Sequence, residues 1–268
     1  MIRRALHLAS WLVLAAAFAL PIVLALAASL SPSGTLAGAG WHALTLAHYR
    51  ALFAERGFLR PIESSLVVAT MTTALCLVVG FLCAYALARM SFPGRRLLLG
   101  GILALSMFPQ ITIVAPLYLV LRALHLVDTY PGLVLPYLTF AMPLTVWLLV
   151  GQLRALPPEL EQAARIDGAG RLRTIVEVVL PLSWPGLVTT GILTFVYCWN
   201  EFLFALSFTL GTERWTVPVA IALFQGRYQI PWGEILAGAV VATLPVALLV
   251  LVFQRRIVRG ITAGAVKG

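Results

Sequence analysis

One short stretch of the chain concentrates side chains that could bind a polar ligand within an apolar segment. Glu201 follows Thr194 by seven residues and Tyr197 by four, which predicts one shared helical face, and Asn200 adds an amide. These groups could bind a neutral polyol through directed hydrogen bonds and an aromatic surface. Alternatively, Glu201 pairs with a partner helix and fixes a subunit interface. Either role would explain an ionisable group where burial in lipid is costly.

Other chemistry has little support in the sequence. We predict no catalytic residues, because the apolar segments hold no neighbouring nucleophile and base and no paired carboxylates. The cysteines, Cys76, Cys83 and Cys198, and the four histidines are not at metal-ligand spacing, so we predict no metal site. Lys267, next to the last residue, is the only lysine, so a phosphate-binding P-loop is excluded. The chain is therefore predicted to be no enzyme, and any ATPase must be a separate subunit.

The composition predicts the elements that position these residues. With 61% hydrophobic and 11% charged residues, the chain has too little polar surface for a soluble globule. A helix needs about 20 apolar residues to cross a bilayer, and lipid offers no other partner for backbone amides. We predict an all-α polytopic membrane protein with six transmembrane helices, at 8–30, 66–88, 97–121, 133–150, 187–208 and 236–253. The first could be a cleaved signal peptide, but its apolar run exceeds the roughly 7–15 residues of such signals.

The basic residues predict the orientation of the spans. Most of the 19 Lys and Arg residues fall on one side of the six segments. They are Arg3, Arg4, Arg89, Arg95, Arg96, Arg154, Arg165, Arg171, Arg173, Arg255, Arg256, Arg259 and Lys267. Because cytoplasmic loops carry an excess of positive charge, both termini are predicted to be cytoplasmic. This asymmetry also accounts for the net charge of +9, so no nucleic-acid partner is implied.

A polar segment at about 154–185 interrupts the apolar runs on the predicted cytoplasmic side. After Pro157 and Pro158, a short helix with acidic residues in its first turn is expected, ending at Gly168. A second amphipathic segment then runs to Pro181. A short helix with a small-residue face suits docking in a groove on another protein. An amphipathic connector on the membrane surface would show the same periodicity, so both interpretations stay open here.

The residues of this segment resemble a known family. Gln162-Ala163-Ala164-Arg165-Ile166-Asp167-Gly168-Ala169, followed by Val179-Leu180-Pro181-Leu182, is similar to the cytoplasmic EAA loop of ABC-importer permeases. Further matches along the chain are Ser64-Ser65-Leu66, Tyr85-Ala86-Leu87-Ala88-Arg89, Phe92-Pro93-Gly94-Arg95, Trp199-Asn200-Glu201-Phe202, Gln254-Arg255-Arg256 and the tail 262–268. In this order and spacing they resemble the second permease of carbohydrate importers of the maltose and trehalose type.

This resemblance implies a type I ABC-importer permease fold in the inner membrane. It also implies a homologous second permease, two copies of an ABC ATPase that hold ATP and Mg²⁺, and an extracytoplasmic sugar-binding protein. In such systems the EAA helix is a coupling helix seated in a cleft of the ATPase. The implied ATPase-coupling residues are Glu161, Gln162, Ala163, Ala164, Asp167, Gly168 and Ala169. The implied ATPase-contacting tail is Gly264, Ala265, Val266, Lys267 and Gly268; a frayed terminus is the alternative.

Two departures from the family pattern affect this expectation. Gln162 stands where the family usually has Glu, so a charge contact with the ATPase is in question there, although Glu161 and Asp167 lie beside it. Ser64 replaces an Asn that commonly opens the second span. Neither change removes the helix geometry.

The sequence thus predicts a permease subunit of a sugar importer, with an oligosaccharide such as trehalose or maltose as cargo. The organisation predicted is an N-terminal helix and outer loop at 1–60, a permease core at 61–255 and a cytoplasmic tail at 256–268. A glycerol-phosphate importer is the nearest alternative. An autonomous channel or secondary transporter is the alternative of a different class, but it commonly shows an inverted repeat and ion-coupling charges, which this sequence lacks.

Overall fold

A computed structural model describes residues 2–35, 44–224 and 230–265, without the side chains of 2–6, 8, 9, 12 and 255–265. Every regular element in these ranges is helical. The helices are α1 (Ile2–Ser29), α2 (Ala47–Ala54), α3 (Leu59–Arg89), α4 (Arg95–Ser106), α5 (Gln110–Ala123), α6 (Tyr130–Ala155), α7 (Glu159–Ile166), α8 (Arg171–Thr174), a π-helical turn (Ile175–Val179), α9 (Leu180–Trp199), α10 (Leu203–Phe208), α11 (Val217–Ala222) and α12 (Trp232–Ala265). The all-α prediction is confirmed.

Four of the described helical segments are long and apolar enough to cross a membrane: Leu59–Arg89, Tyr130–Ala155, Arg171–Trp199 and Trp232–Gln254. A bent pair, α4 and α5, makes a fifth if it is counted as one span. The apolar part described for α1, Val13–Ser29, is shorter than these. The polytopic prediction therefore holds, whereas the predicted number of six spans is not confirmed.

The predicted span at 97–121 is not one continuous helix. Helices α4 and α5 meet at 92° across a three-residue break, 107–109. Pro109 precedes α5 with a φ of −62°, and proline disfavours helical backbone in the residue before it while lacking an N–H of its own. Phe108, the residue before Pro109, accordingly lies outside both helices. A local proline rule thus overrides the continuous apolar pattern.

The predicted span at 187–208 is displaced and interrupted. Helical structure begins at Arg171, passes through the π-helical turn and continues in α9 to Trp199, so Pro181 does not end the second amphipathic segment as predicted. Pro181 lies in the first turn of α9, where a missing N–H is tolerated, and a π turn lies directly before it. At the other end, residues 200–202 separate α9 from α10.

Proximity of Cα atoms divides the chain into two units. One comprises Met1–Glu63 and Trp215–Ala247, and the other comprises Ser64–Arg214 and Leu248–Gly268. In the first unit, Arg56 forms an ion pair with Glu234 at 2.7 Å, and the guanidinium of Arg56 lies 5.5 Å from the ring centre of Phe224. These contacts join the segment after α2 to the beginning of α12. The predicted division at residues 60 and 255 stays a prediction.

The second unit holds two apolar cores. One contains aromatic side chains from α6 and α10, with the rings of Phe204 and Phe208 stacked at 5.6 Å. The other packs α3 and α6 against the π-helical turn, with Leu149 and Val179 buried. Outside these cores, the long helices expose large apolar side chains to their surroundings, as expected where lipid or another membrane subunit covers them.

Candidate coupling and pathway sites

The predicted coupling helix is present as α7, and its ends follow from local rules. Pro158 precedes it, and Glu159 and Glu161 lie in its first turn, where negative charge favours the positive helix N-terminus. At its other end, the N–H of Ala169 donates to the carbonyl of Ala164 at 2.9 Å, and the N–H of Gly168 donates to that of Arg165 at 3.1 Å. This pair of bonds is a Schellman motif. Gly168 has the positive φ, +82°, that the motif requires.

Most of the predicted coupling residues are accessible. Gln162, Ala163, Asp167 and Gly168 are exposed, while Ala164 and Ala169 are half-buried. Ile166, in the middle of this surface, is 86% exposed. A short helix that exposes small and apolar side chains in this way suits docking in a groove on another protein.

Glu161 differs from the other predicted coupling residues, because its side chain is turned towards the rest of this chain. It is the one buried residue of α7, and it forms an ion pair with Arg89 at the end of α3. Tyr85 and Arg89 are the two ends of one family motif, and Arg89 is a predicted cytoplasmic charge, but the sequence predicts no contact of either residue with Glu161. Their spacing of four residues, which places both on one face at the end of a span, was the available signal.

The predicted polar face at 194–201 is not one face. Helix α9 ends at Trp199, so the prediction that Glu201 continues the face of Thr194 and Tyr197 is wrong. Thr194 is fully buried and shares a 2.8 Å hydrogen bond with Thr145 of α6. The hydroxyl of Tyr197 accepts a 2.9 Å hydrogen bond from Gln110 at the start of α5. The exposed amide of Asn200 donates to the carbonyl of Val196 in its own helix.

Glu201 lies in the break between α9 and α10 and satisfies backbone groups there. Its carboxylate accepts hydrogen bonds from the N–H of Phe204 at 2.8 Å and of Ala205 at 3.2 Å, and the side chain of Tyr137 also interacts with it. The residue is 8% exposed. These bonds give Glu201 a structural role within its own chain, whereas the predicted contacts with a solute or with a partner helix stay predictions. The bonds satisfy N–H groups that the first turn of a helix leaves without partners.

We expect Glu201→Ala to lower the stability of the protein without changing its affinity for transported solute. The substitution leaves two buried N–H groups without their acceptor, at a cost of about 1–3 kcal/mol. Thermal unfolding of the purified protein and the KM for transport would be compared with those of Asn200→Ala, which alters an exposed neighbour. A raised KM at an unchanged unfolding temperature would instead show that Glu201 contacts the solute.

The predicted tail is described only in part. Gly264 and Ala265 lie in the last turn of α12, whereas Val266, Lys267 and Gly268 lie outside the described residues. The predicted ATPase contact of the tail therefore stays a prediction. Within the described ranges, no group of three or more His, Cys, Asp or Glu side chains could hold a metal ion.

The spans and the exposed short helix α7 define an all-helical, multi-pass membrane component. Residues 76–263 match the family described as the binding-protein-dependent transport system inner membrane component. The chain belongs to this family of inner-membrane permeases, and the family resemblance inferred from its motifs is confirmed.

Curated relatives match most of the chain. The trehalose transport system permease protein SugB of Mycobacterium tuberculosis is 44% identical over 253 residues, covering 93% of this chain and 92% of that protein. The sulfoquinovosyl glycerol transport system permease protein SmoH of Agrobacterium fabrum is 43% identical, covering 85% and 80%. The trehalose/maltose transport system permease protein MalG of Thermococcus litoralis is 44% identical, covering 77% and 75%.

Solved structures show the same fold. A chain of a bacterial ABC transporter involved in the import of the acidic polysaccharide alginate aligns with a TM-score of 0.79 at 20% identity, covering 95% of this chain and 96% of that one. A chain of the alginate transporter in complex with its pentasaccharide-bound periplasmic protein aligns with a TM-score of 0.68 at 17% identity. The predicted ABC-importer permease fold is therefore confirmed.

Proposed function

We propose that this chain is a permease subunit of an ATP-driven sugar importer, in which it forms half of the translocation pathway. The observation that carries the proposal is the 44% identity with a trehalose permease over 93% of the chain. A second trehalose/maltose permease is equally similar. A neutral oligosaccharide such as trehalose or maltose is the cargo that these relatives favour.

An anionic glycoside is a second candidate cargo. It is favoured by a specific observation, the 43% identity with a permease for sulfoquinovosyl glycerol. A glycerol phosphate is a further anionic cargo to be tested. The buried carboxylate of Glu201 is occupied by backbone N–H groups, so it offers no argument against an anionic cargo.

The energy for transport comes from partner subunits in this proposal. The chain would assemble with a homologous permease, two ATPase subunits that bind ATP and Mg²⁺, and an extracytoplasmic binding protein. The solved complex of a similarly folded transporter with a periplasmic protein supports the last of these partners. The exposed surface of α7, centred on Ile166, would contact the ATPase. With both termini cytoplasmic, α7 lies on the same side as the ATPase, as the positive-inside tendency predicts.

Reconstitution tests this proposal. The chain would be co-expressed with its partner permease and ATPase, purified, and placed in lipid vesicles with the binding protein outside. We expect trehalose or maltose to stimulate ATP hydrolysis and to accumulate in the vesicles. Sulfoquinovosyl glycerol and glycerol 3-phosphate would be measured alongside to assign the cargo.

Two controls separate the function classes. A complex with a hydrolysis-deficient ATPase should not accumulate sugar, and omission of the binding protein should remove the stimulation of hydrolysis. Sugar uptake by vesicles that hold this chain without any ATPase would contradict the proposal and favour an autonomous channel or secondary transporter.

A further inference from the structure

A cluster of three polar side chains joins the end of α3 to α7. The Nε of Arg89 lies 2.7 Å from Oε1 of Glu161, and the hydroxyl of Tyr85 donates to Oε2 of Glu161 at 3.0 Å. Arg89 also donates from Nη2 to the carbonyl of Leu156 at 2.8 Å, in the connection between α6 and α7. The Glu161 carboxylate thus contacts two side chains of α3. The Arg89 guanidinium contacts both α7 and the connection that precedes it.

The cluster is shielded from water. The side chains of Arg89 and Glu161 are 13% and 6% exposed, and Tyr85 is buried. Burial strengthens an ion pair electrostatically, and removing one partner leaves an uncompensated charge in a poorly solvated site. A second cation, Arg165, lies 4.0 Å from Oε2 of Glu161 but is 58% exposed, so it contributes little by comparison.

No other side chain of α7 is both buried and in polar contact with α3 among the contacts described for this helix. Glu161 is its one buried residue, and the exposed residues around it include Gln162, Ala163 and Ile166. A helix held by an apolar face can shift along a smooth surface, whereas the hydrogen bond from Tyr85 and the short ion pair with Arg89 hold Glu161 at a defined distance from α3. The side chain of Glu161 therefore links α7 directly to the end of α3.

We propose that Tyr85, Arg89 and Glu161 form the mechanical connection that makes α3 move with the coupling helix. Movement of α7 in the cleft of the ATPase would be transmitted through this cluster to α3, a 31-residue helix long enough to span the membrane. The three side chains are positioning residues in this role. The inference rests on the proposed function, because it assigns the path by which ATPase movement reaches one particular span.

The test measures sugar transported per ATP hydrolysed in reconstituted complexes. We expect Glu161→Gln to lower this ratio at least about tenfold in complexes that still assemble and still hydrolyse ATP. Glu159→Gln is the matched control, because it removes an exposed carboxylate from the same helix and should leave the ratio unchanged. A ratio within about twofold of wild type in an assembled Glu161→Gln complex would overturn the proposal.

A second variant keeps the test possible if the Glu161→Gln complex does not assemble. Arg89→Met with Glu161→Met leaves no unpaired charge, and such apolar replacements of buried ion pairs are often tolerated. Assembly of this complex with a low ratio would support the connection, whereas a wild-type ratio would overturn it. Failure of the double variant to assemble would also overturn it, because the cluster would then be a requirement of folding. If wild-type complexes show no sugar-stimulated hydrolysis, the proposed function fails instead, so the two failures are distinguishable.

Discussion

Ile166→Asp is expected to weaken binding of the ATPase subunit by at least about 30-fold, which corresponds to the roughly 2 kcal/mol of an interface hot spot. Ile166 is 86% exposed on α7, so the substitution removes no contact within this chain's core. Burial of a carboxylate in a groove that receives an apolar side chain would be costly. The measurement is recovery of the ATPase with the tagged permease, followed by ATP hydrolysis of the recovered complex.

Ile166→Met is the control for this prediction, because it keeps an apolar side chain of similar size at the same position. It should bind the ATPase within about threefold of wild type, as volume-conserving apolar exchanges are well tolerated. If Ile166→Asp binds the ATPase within about threefold of wild type, the predicted contact is wrong, and α7 is instead a connector on the membrane surface, the alternative that helical periodicity left open.

Gly168→Val is expected to abolish sugar-stimulated ATP hydrolysis while Gly170→Val preserves it. Gly168 has a φ of +82°, a conformation in which a β-branched residue is strained, with a cost of about 1–2 kcal/mol for left-handed backbone. Relief of that strain would open the Schellman turn and reorient the end of α7 beside Ile166. Hydrolysis would be measured with the sugar-loaded binding protein in vesicles.

The two glycines make a closely matched pair. Within this chain both lie where an added side chain would meet open space, so crowding inside the chain cannot explain a difference. Gly170 has a φ of −67° and a ψ of 164°, which any residue can adopt. Gly168→Asn should retain about half of the stimulation or more, since asparagine tolerates the left-handed conformation. Equal losses in Gly168→Val and Gly170→Val would show that the loop is sensitive to bulk, and the conformational explanation would be wrong.

Much of this fold could be predicted because the relevant signals are local. High apolar content predicts helices in a membrane, and the proline and glycine positions predict where α7 begins and ends. The family could be identified from short motifs, because each lies within a few consecutive residues and their order along the chain is specific. A local rule was wrong at Pro181, which lies inside a helix and does not end one, and the apolar run at 97–121 is bent next to Pro109.

The sequence by itself therefore determined the membrane environment, the helical class, the family and the position of the exposed helix α7, because hydropathy and turn chemistry depend on neighbouring residues. Only the tertiary structure decided what the buried charges do. Tyr85 and Glu161 are 76 positions apart, and their contact depends on how α3 and α7 are arranged in space. Likewise, Glu201 accepts hydrogen bonds from backbone N–H groups of α10, because α9 ends before Glu201 and α10 begins after it. Polar groups that are distant in sequence pair because the helices pack together. The periodicity of a short segment cannot predict that packing.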